Sequence, residues 1–366
     1  MSRRPAVLTG SLLGVLALGL TAAPAQAAPL GELLPSTPHP HTDDRAAGAG
    51  AGGRQPVSDL LTNRAPAAAP RVVAHRGASA YAPENTLAGA DKARDLDVEW
   101  VENDVQRTKD GELVVVHDET LERTTNVEEV FPDRAPWKVG DFTAQELGQL
   151  DAGGWFAREY SGERIPTLGE FLDRIGENNQ KLLLELKKPE LYPGIEEEVV
   201  EELRAEGWLR AGKREDLVVQ SFDADSVRSV HGLAPRVTTG FLGKPAVSQL
   251  GTYAEFADQI NPRYTEVDKE YVRAVKRLRG AQGRPMEVYT WTVDDGPTAA
   301  KLAGMGVDGV ISNRPDVVRD AMAAARDTAP QTGAADEDRV ADDALGTDSE
   351  TDAVGIAPRD GQAARG

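Results

Sequence analysis

Lys181-Leu182-Leu183-Leu184-Glu185-Leu186-Lys187 is an apolar run broken late by one acid and closed by one base. Alternating hydrophobicity would mark a strand with one wet face. A continuous run of this length marks a strand covered on both faces, the situation of a parallel sheet flanked by helices. A carboxylate inside such a run needs a compensating charge, because an isolated buried ion is prohibitively costly. Trp100-Val101-Glu102-Asn103-Asp104-Val105 repeats the theme with two acids. Strand side chains alternate, so Glu102 and Asp104 share one face, and by the same rule Glu185 and Lys187 share one.

Similar short runs occur along the chain at Arg71–His75, Leu113–His117, Leu217–Ser221, Val237–Leu242, Met286–Trp291 and Val307–Ile311. Helix signals lie between them. Thr143 with Glu146, and Thr167 with Glu170, have capping-box spacing. Ile195–Ala205, Glu270–Leu278 and Pro315–Ala325 read as helices, the first two closed by Gly207 and Gly280. Eight strands alternating with helices fit one α/β TIM-like (β/α)8 barrel, whose usual length is about 250 residues. Two irregularities are expected. Gln106–Glu112 is too short to hold a helical crossover between the second and third strands. Asp118–Pro166 reads as an insertion after the third strand, above the barrel mouth.

In such a barrel the active site lies at the C-terminal ends of the strands. His75-Arg76-Gly77 ends the first strand and His117-Asp118 the third, while Glu102, Asp104 and Glu185 sit within the second and fourth. Three converging carboxylates need a cation to stay ionised, and oxygen ligands suit a hard divalent ion, Ca²⁺ or Mg²⁺. The competing reading is ordinary surface carboxylates or core ion pairs, which fits any one of them better than all three. Two histidines at strand ends suit proton transfer near neutral pH; His231, in a helical pattern, is read as non-catalytic. Arg76 offers a fork of donors to phosphate oxygens and Lys187 a second positive charge, unless Lys187 serves only as an ion-pair partner of Glu185 or Asp104. Glu84 and Asn85 lie in the loop entering the first helix, where one could orient the site and the other cap the helix.

The whole chain of 366 residues has a formal net charge of −19 and no cysteine. Disulfides, thiolate metal sites and thiol nucleophiles are thereby excluded. So acidic a surface repels nucleic acid and anionic membrane, and any phosphate must meet local positive charge. Residues 1–27 read as a signal peptide: Arg3 and Arg4, an apolar stretch Ala6–Ala22, then Ala25-Gln26-Ala27 as a cleavage site, with Ser2-Arg3-Arg4 resembling a twin-arginine start. The apolar stretch is short for a membrane anchor. Residues 28–67, rich in Ala, Gly and Pro, read as a flexible linker in which His39 and His41 hold no site geometry; 68–326 form the barrel; and 327–366 read as an acidic disordered tail.

Taken in order, His75-Arg76-Gly77, Pro83-Glu84-Asn85-Thr86, Glu102-Asn103-Asp104-Val105, Thr108-Lys109-Asp110-Gly111, His117-Asp118, Arg123-Thr124-Thr125, Ile165-Pro166-Thr167-Leu168, Glu185-Leu186-Lys187, Ser221-Phe222-Asp223, Trp291-Thr292-Val293 and Ser312-Asn313-Arg314-Pro315 resemble the glycerophosphodiester phosphodiesterase family over roughly Val72–Val318. The resemblance implies hydrolysis of small-molecule glycerophosphodiesters to glycerol 3-phosphate and an alcohol. It implies His75 and His117 as acid and base, Glu102, Asp104 and Glu185 as ligands of Ca²⁺ or Mg²⁺, Arg76 and Lys187 on the phosphate, and Trp291 on the glycerol side. Asn103 stands where an apolar residue is frequent; pointing outward, it should matter little. Two other readings compete. One is a secreted phospholipase-type enzyme acting on intact lipid, for which Val130, Phe131, Trp137, Phe142, Trp155, Phe156 and Tyr160 would supply an apolar rim, against Asp133, Asp141, Asp151, Glu159 and Glu163. The other is a binding protein that captures glycerol phosphate without hydrolysis, which would not need two histidines. Export with cleavage after Ala27 is checked by N-terminal sequencing of the secreted protein: Ala28 first is expected, and Met1 first would refute the signal-peptide reading.

Overall fold

The computed structural model describes residues 69–328. The segments read as signal peptide and as linker, with His39 and His41, and the segment read as tail beyond Thr328 lie outside the described residues. Nine strands run in chain order: β1 Arg71–Ala74, β2 Trp100–Arg107, β3 Leu113–Val115, β4 Lys181–Leu186, β5 Leu217–Ser221, β6 Thr238–Leu242, β7 Gln259–Asn261, β8 Glu287–Thr290 and β9 Gly309–Ser312. The sheet order is β1-β9-β8-β7-β6-β5-β4-β2-β3, and β1 also pairs with β2, which closes it. Eight of these strands are mutually parallel and form the barrel; β3 alone runs antiparallel to its neighbour.

Two expectations are corrected here. Leu113–His117 is not a barrel stave. Five residues, Thr108 to Glu112, can only reverse the chain, so β3 folds back on the end of β2 with Val105 opposite Val115. Gly111, at φ 94°, supplies the left-handed turn residue. The eighth stave is β7, whose Gln259-Ile260-Asn261 is too short and polar to announce itself. The helices fall closer to expectation. Ile195–Ala205 and Pro315–Thr328 form, and both capping boxes close, Thr143 with Glu146 and Thr167 with Glu170.

Strand parity separates two cores. Val101, Val105, Leu182, Leu184, Leu186, Leu217 and Val219 face the helices, packing on Phe171, Leu172, Val199 and Leu203. The opposite parity fills the barrel interior: Val73, Trp100, Leu183, Val218, Tyr289 and Ile311 form one cluster. Counting two residues onward from each reaches His75, Glu102, Glu185, Gln220, Trp291 and Asn313. An apolar floor therefore lies beneath a polar layer at the C-terminal mouth.

Residues 118–166 carry short helical turns, among them Val127–Val130 and Ala144–Leu147. They enclose a core of their own with Leu121, Val127, Val139, Phe142, Leu147 and Leu150, seated on Val114 and Val116 beside β3. Val130, Phe131 and Trp137 pack against that core, Phe142 is fully buried, and Trp155 alone of the seven apolar residues counts as exposed. The side chains that would have furnished a lipid-facing rim are thus largely spent on packing. Among the described residues no helix is long and apolar enough to cross a membrane.

Candidate active site

The mouth of the barrel opens into a cleft of about 610 Å³, counting its open end, lined by His75, Arg76, Glu102, His117, Glu185 and Lys187 on one side and by Phe222, Arg263 and Trp291 on another. Glu102 and Asp104 project from β2, and Glu185 lies beside Asp104 in the β2–β4 register. One oxygen from each of the three lies within 4.8 Å of the others, and all three residues are buried.

Their charges are unequal. Burial works to raise Asp104, but Arg76 and Lys187 outweigh it and hold the group at about 2. Glu185 is pushed up to about 7 by burial and by Asp104, with Lys187 opposing. Burial, together with Asp104 and Glu185, drives Glu102 well above the usual carboxylate range. Lys187 Nζ reaches Glu185 Oε1 at 2.8 Å and Asp104 Oδ1 at 3.4 Å, so the ion-pair role foreseen for it exists. Arg76 Nε lies 3.2 Å from Asp104 Oδ2. Even so, Glu102 Oε1 and Asp104 Oδ1 accept no hydrogen bond. Buried oxygens left open in a three-carboxylate cluster are what a hard divalent cation would take up, so the residues fit such an ion.

The loop after β1 sets several of these contacts at once. Arg76 (φ 57°) and Gly77 (φ 82°) turn the chain sharply. A Cβ on Gly77 would meet the carbonyl carbon of Gly89 at 2.5 Å, so only glycine fits there. The turn aims the Arg76 backbone N–H at Glu102 Oε2, 2.8 Å away, and the guanidinium at Glu84, also 2.8 Å away. Asn85 donates to Asp104 Oδ2 at 2.8 Å. Neither Glu84 nor Asn85 caps the following helix. Thr86 does so, accepting from Gly89, and this corrects the sequence expectation.

Each histidine has one ring nitrogen tied down. His75 Nδ1 lies 2.7 Å from Asn313 Oδ1. Asn313 is itself fixed, donating from Nδ2 and its backbone N–H to Asp294, both at 2.8 Å. Its amide oxygen therefore faces His75, which must donate from Nδ1 and keep a lone pair on Nε2. Burial, reinforced by Arg76, lowers the His75 pKa to about 4 and keeps the ring neutral. His117 reaches the same cleft from the turn after β3, not from a barrel strand end. Its Nδ1 lies 2.6 Å from Asp118 Oδ1. That hydrogen bond, together with Arg123 at 2.5 Å, holds Asp118 well below the usual carboxylate range. Arg123 also forks onto Glu84 at 2.7 and 2.8 Å, linking the loops that carry Arg76 and His117.

Sequence reasoning missed Asn313, Asp294, Arg123 and Arg263 as members of this site. Asn313 and Asp294 follow β9 and β8, and their motifs were visible without their role. Arg263 follows β7, the stave that sequence did not disclose. Trp291 lies where expected, its indole N–H donating to the Asn261 carbonyl at 2.8 Å. Asn103 points outward as expected, yet it is fully buried and neither polar atom of its side chain has a partner; nothing in the structure explains that residue. His231 lies on the helix Ala224–Leu233 and does not line the cleft.

A cleft with paired cations over a cluster of acids, and two imidazoles lining it, has the charge and donors to seat a phosphate ester. That combination at the rim of a parallel barrel defines the class: a (β/α)8 phosphodiesterase. The chain belongs to the glycerophosphoryl diester phosphodiesterase family, whose pattern residues 75–317 match. It is 36% identical over 250 residues to a glycerophosphodiester phosphodiesterase of Caldanaerobacter subterraneus subsp. tengcongensis, covering 68% of this chain and 95% of that one. To a glycerophosphodiester phosphodiesterase of Bacillus subtilis it is 34% identical over 263 residues, covering 67% and 84%. An Oleispira antarctica phosphodiesterase, solved with its product sn-glycerol-3-phosphate, superposes with TM-score 0.60 at 32% identity, covering 70% of this chain and 97% of that one. The protein is thus a glycerophosphodiester phosphodiesterase, a phosphoric diester hydrolase.

Replacing Asn313 by alanine frees His75 to change tautomer and tilt. A kcat loss on the order of 10²-fold with KM little moved is expected; steady-state kinetics showing a KM effect alone would contradict the tautomer assignment.

Proposed function

We propose that the enzyme hydrolyses glycerophosphodiesters to glycerol 3-phosphate and an alcohol with His75 as general base, His117 as general acid and a divalent ion, Ca²⁺ or Mg²⁺, on Glu102, Asp104 and Glu185. The observation that carries this reading is the buried carboxylate cluster with open oxygens beside two differently tethered imidazoles. When bound, the ion would act as a Lewis acid toward a phosphoryl oxygen. Arg76 and Lys187 hold the phosphate and offset the charge that grows on it. His75, neutral and donating from Nδ1 to Asn313, takes the proton of the attacking hydroxyl at Nε2. His117, tethered through Nδ1 to Asp118, gives a proton from Nε2 to the leaving oxygen. Trp291 walls the glycerol side. Catalysis outside the cytoplasm is part of this proposal and rests on the signal-peptide reading of residues 1–27.

Proton competition makes the reading testable. His75 must be neutral, and its lowered pKa keeps it so above about pH 4. Glu185, raised to about 7, holds a proton below that pH which metal must displace. With saturating Ca²⁺ or Mg²⁺ the acid limb of kcat/KM on glycerophosphocholine should lie far below neutrality. With limiting metal it should move up toward pH 7. Chelation should abolish turnover, and His75→Ala or His117→Ala should each cost about 10²–10⁴-fold. An acid limb indifferent to metal concentration, or turnover in chelator, would sink the metal assignment.

A further inference from the structure

Opposite the carboxylate cluster the cleft is walled by Phe222, Trp291 and Arg263. Phe222 is 49% exposed and meets Trp291 edge to face, with centroids 5.4 Å apart. Two aromatic rings at a headgroup pocket, one exposed and one half-buried, would ordinarily suggest a seat for the quaternary ammonium of choline. Here each ring already has a cation over it. The Arg263 guanidinium carbon lies 4.9 Å from the Trp291 centroid, and Lys187 Nζ lies 5.6 Å from that of Phe222. A choline headgroup would have to displace these cations or sit beside them.

Arg263 also has no assignment in the catalytic charge balance. Among the described residues no carboxylate pairs with it. Glu102, Asp104 and Glu185 with the scissile phosphodiester supply four negative charges, which Arg76, Lys187 and a divalent ion would match. Glu84 lies against Arg76 and Arg123, and Asp118 against Arg123 and the His117 ring, so none of these acids faces Arg263. Arg263 is therefore a positive charge with no carboxylate partner among the described residues, held on the rim after β7 and over a ring that the Asn261 carbonyl fixes. A guanidinium held over a fixed ring can present its fork of donors to phosphate oxygens.

We infer that this wall selects substrates bearing a second anionic group, so that glycerophosphodiesters in which one alcohol carries a further phosphate are cleaved in preference to choline diesters. This deepens the proposed function and rests on it. The acidic surface of the chain opposes such a substrate at long range, so Arg263 acts at contact distance, in KM more than in kcat.

The test compares kcat/KM at fixed ionic strength for glycerophosphocholine, glycerophosphoglycerol and glycerophosphoglycerol carrying a terminal phosphate. The phosphorylated diester should lead glycerophosphocholine by about tenfold, a charge-assisted contact's worth. Arg263→Gln should remove most of that ratio, chiefly through KM, and Arg263→Lys should restore part of it. Equal rates in the wild type, a preference for choline, or a preference that survives Arg263→Gln would each overturn the inference while leaving diesterase activity intact. No hydrolysis of any of the three would instead overturn the proposed function. If Arg263→Gln fails to fold, the wild-type ratio and the Lys variant still decide.

Discussion

Three carboxylates buried within 4.8 Å of one another repel, and no sheet would hold them without compensation. The site can be understood as the answer to that repulsion. Lys187 and Arg76 reach into the cluster from just beyond the ends of β4 and β1, the two parallel neighbours of β2, Asn85 donates to Asp104, and a backbone N–H donates to Glu102. These groups hold Asp104 ionised and leave Glu102 and Glu185 raised by burial and by their neighbouring acids, so the compensation is incomplete. A site finished without metal would have had its oxygens filled. Here two remain open in the interior of a well-packed barrel.

The pleat delivers the cluster. Because side chains alternate, the residue two places beyond each apolar floor residue must emerge at the mouth on the same inner face. Trp100 is followed by Glu102 and Asp104, Leu183 by Glu185 and Lys187, Tyr289 by Trp291, Ile311 by Asn313. The floor keeps water from entering below, and the helices on the outer face hold the staves in register. The turn at Arg76 and Gly77 then ties the rim together. It gives Glu102 a hydrogen bond and places a guanidinium between two acids. Through Glu84 and Arg123 it reaches Asp118, and so His117.

Much of this was legible before any coordinates. Apolar runs with embedded acids identified β2 and β4, and the period-two rule put their acids on one face. The fold class, the carboxylate triad and both histidines followed. What escaped did so for physical reasons. Leu113–Val115 has a barrel strand's composition, and only its short connection reveals that it must fold back antiparallel. Gln259-Ile260-Asn261 is a barrel strand with one apolar residue, because its other two positions carry polar side chains that bond within the barrel, Gln259 to Glu287 on β8 at 3.0 Å and Asn261 to Gln220 on β5 at 2.9 Å. Losing that stave hid Arg263. Asn313 could have been suspected from the Ser312-Asn313-Arg314-Pro315 stretch after the last strand. Its partner His75 lies 238 residues away, a pairing that periodicity does not reveal.

The central claim is that the carboxylate cluster is a cation site formed with the fold. Anything that binds the folded state alone raises its melting temperature, and goes on raising it as the logarithm of free ligand concentration once the site is filled. Thermal unfolding of the metal-stripped enzyme and of its Asp104→Asn variant, each titrated with Ca²⁺ and with Mg²⁺, addresses this directly. A rise with ion concentration for the wild type that the variant lacks is the expected result. A melting temperature indifferent to both ions, or an equal rise in the variant, would contradict the account.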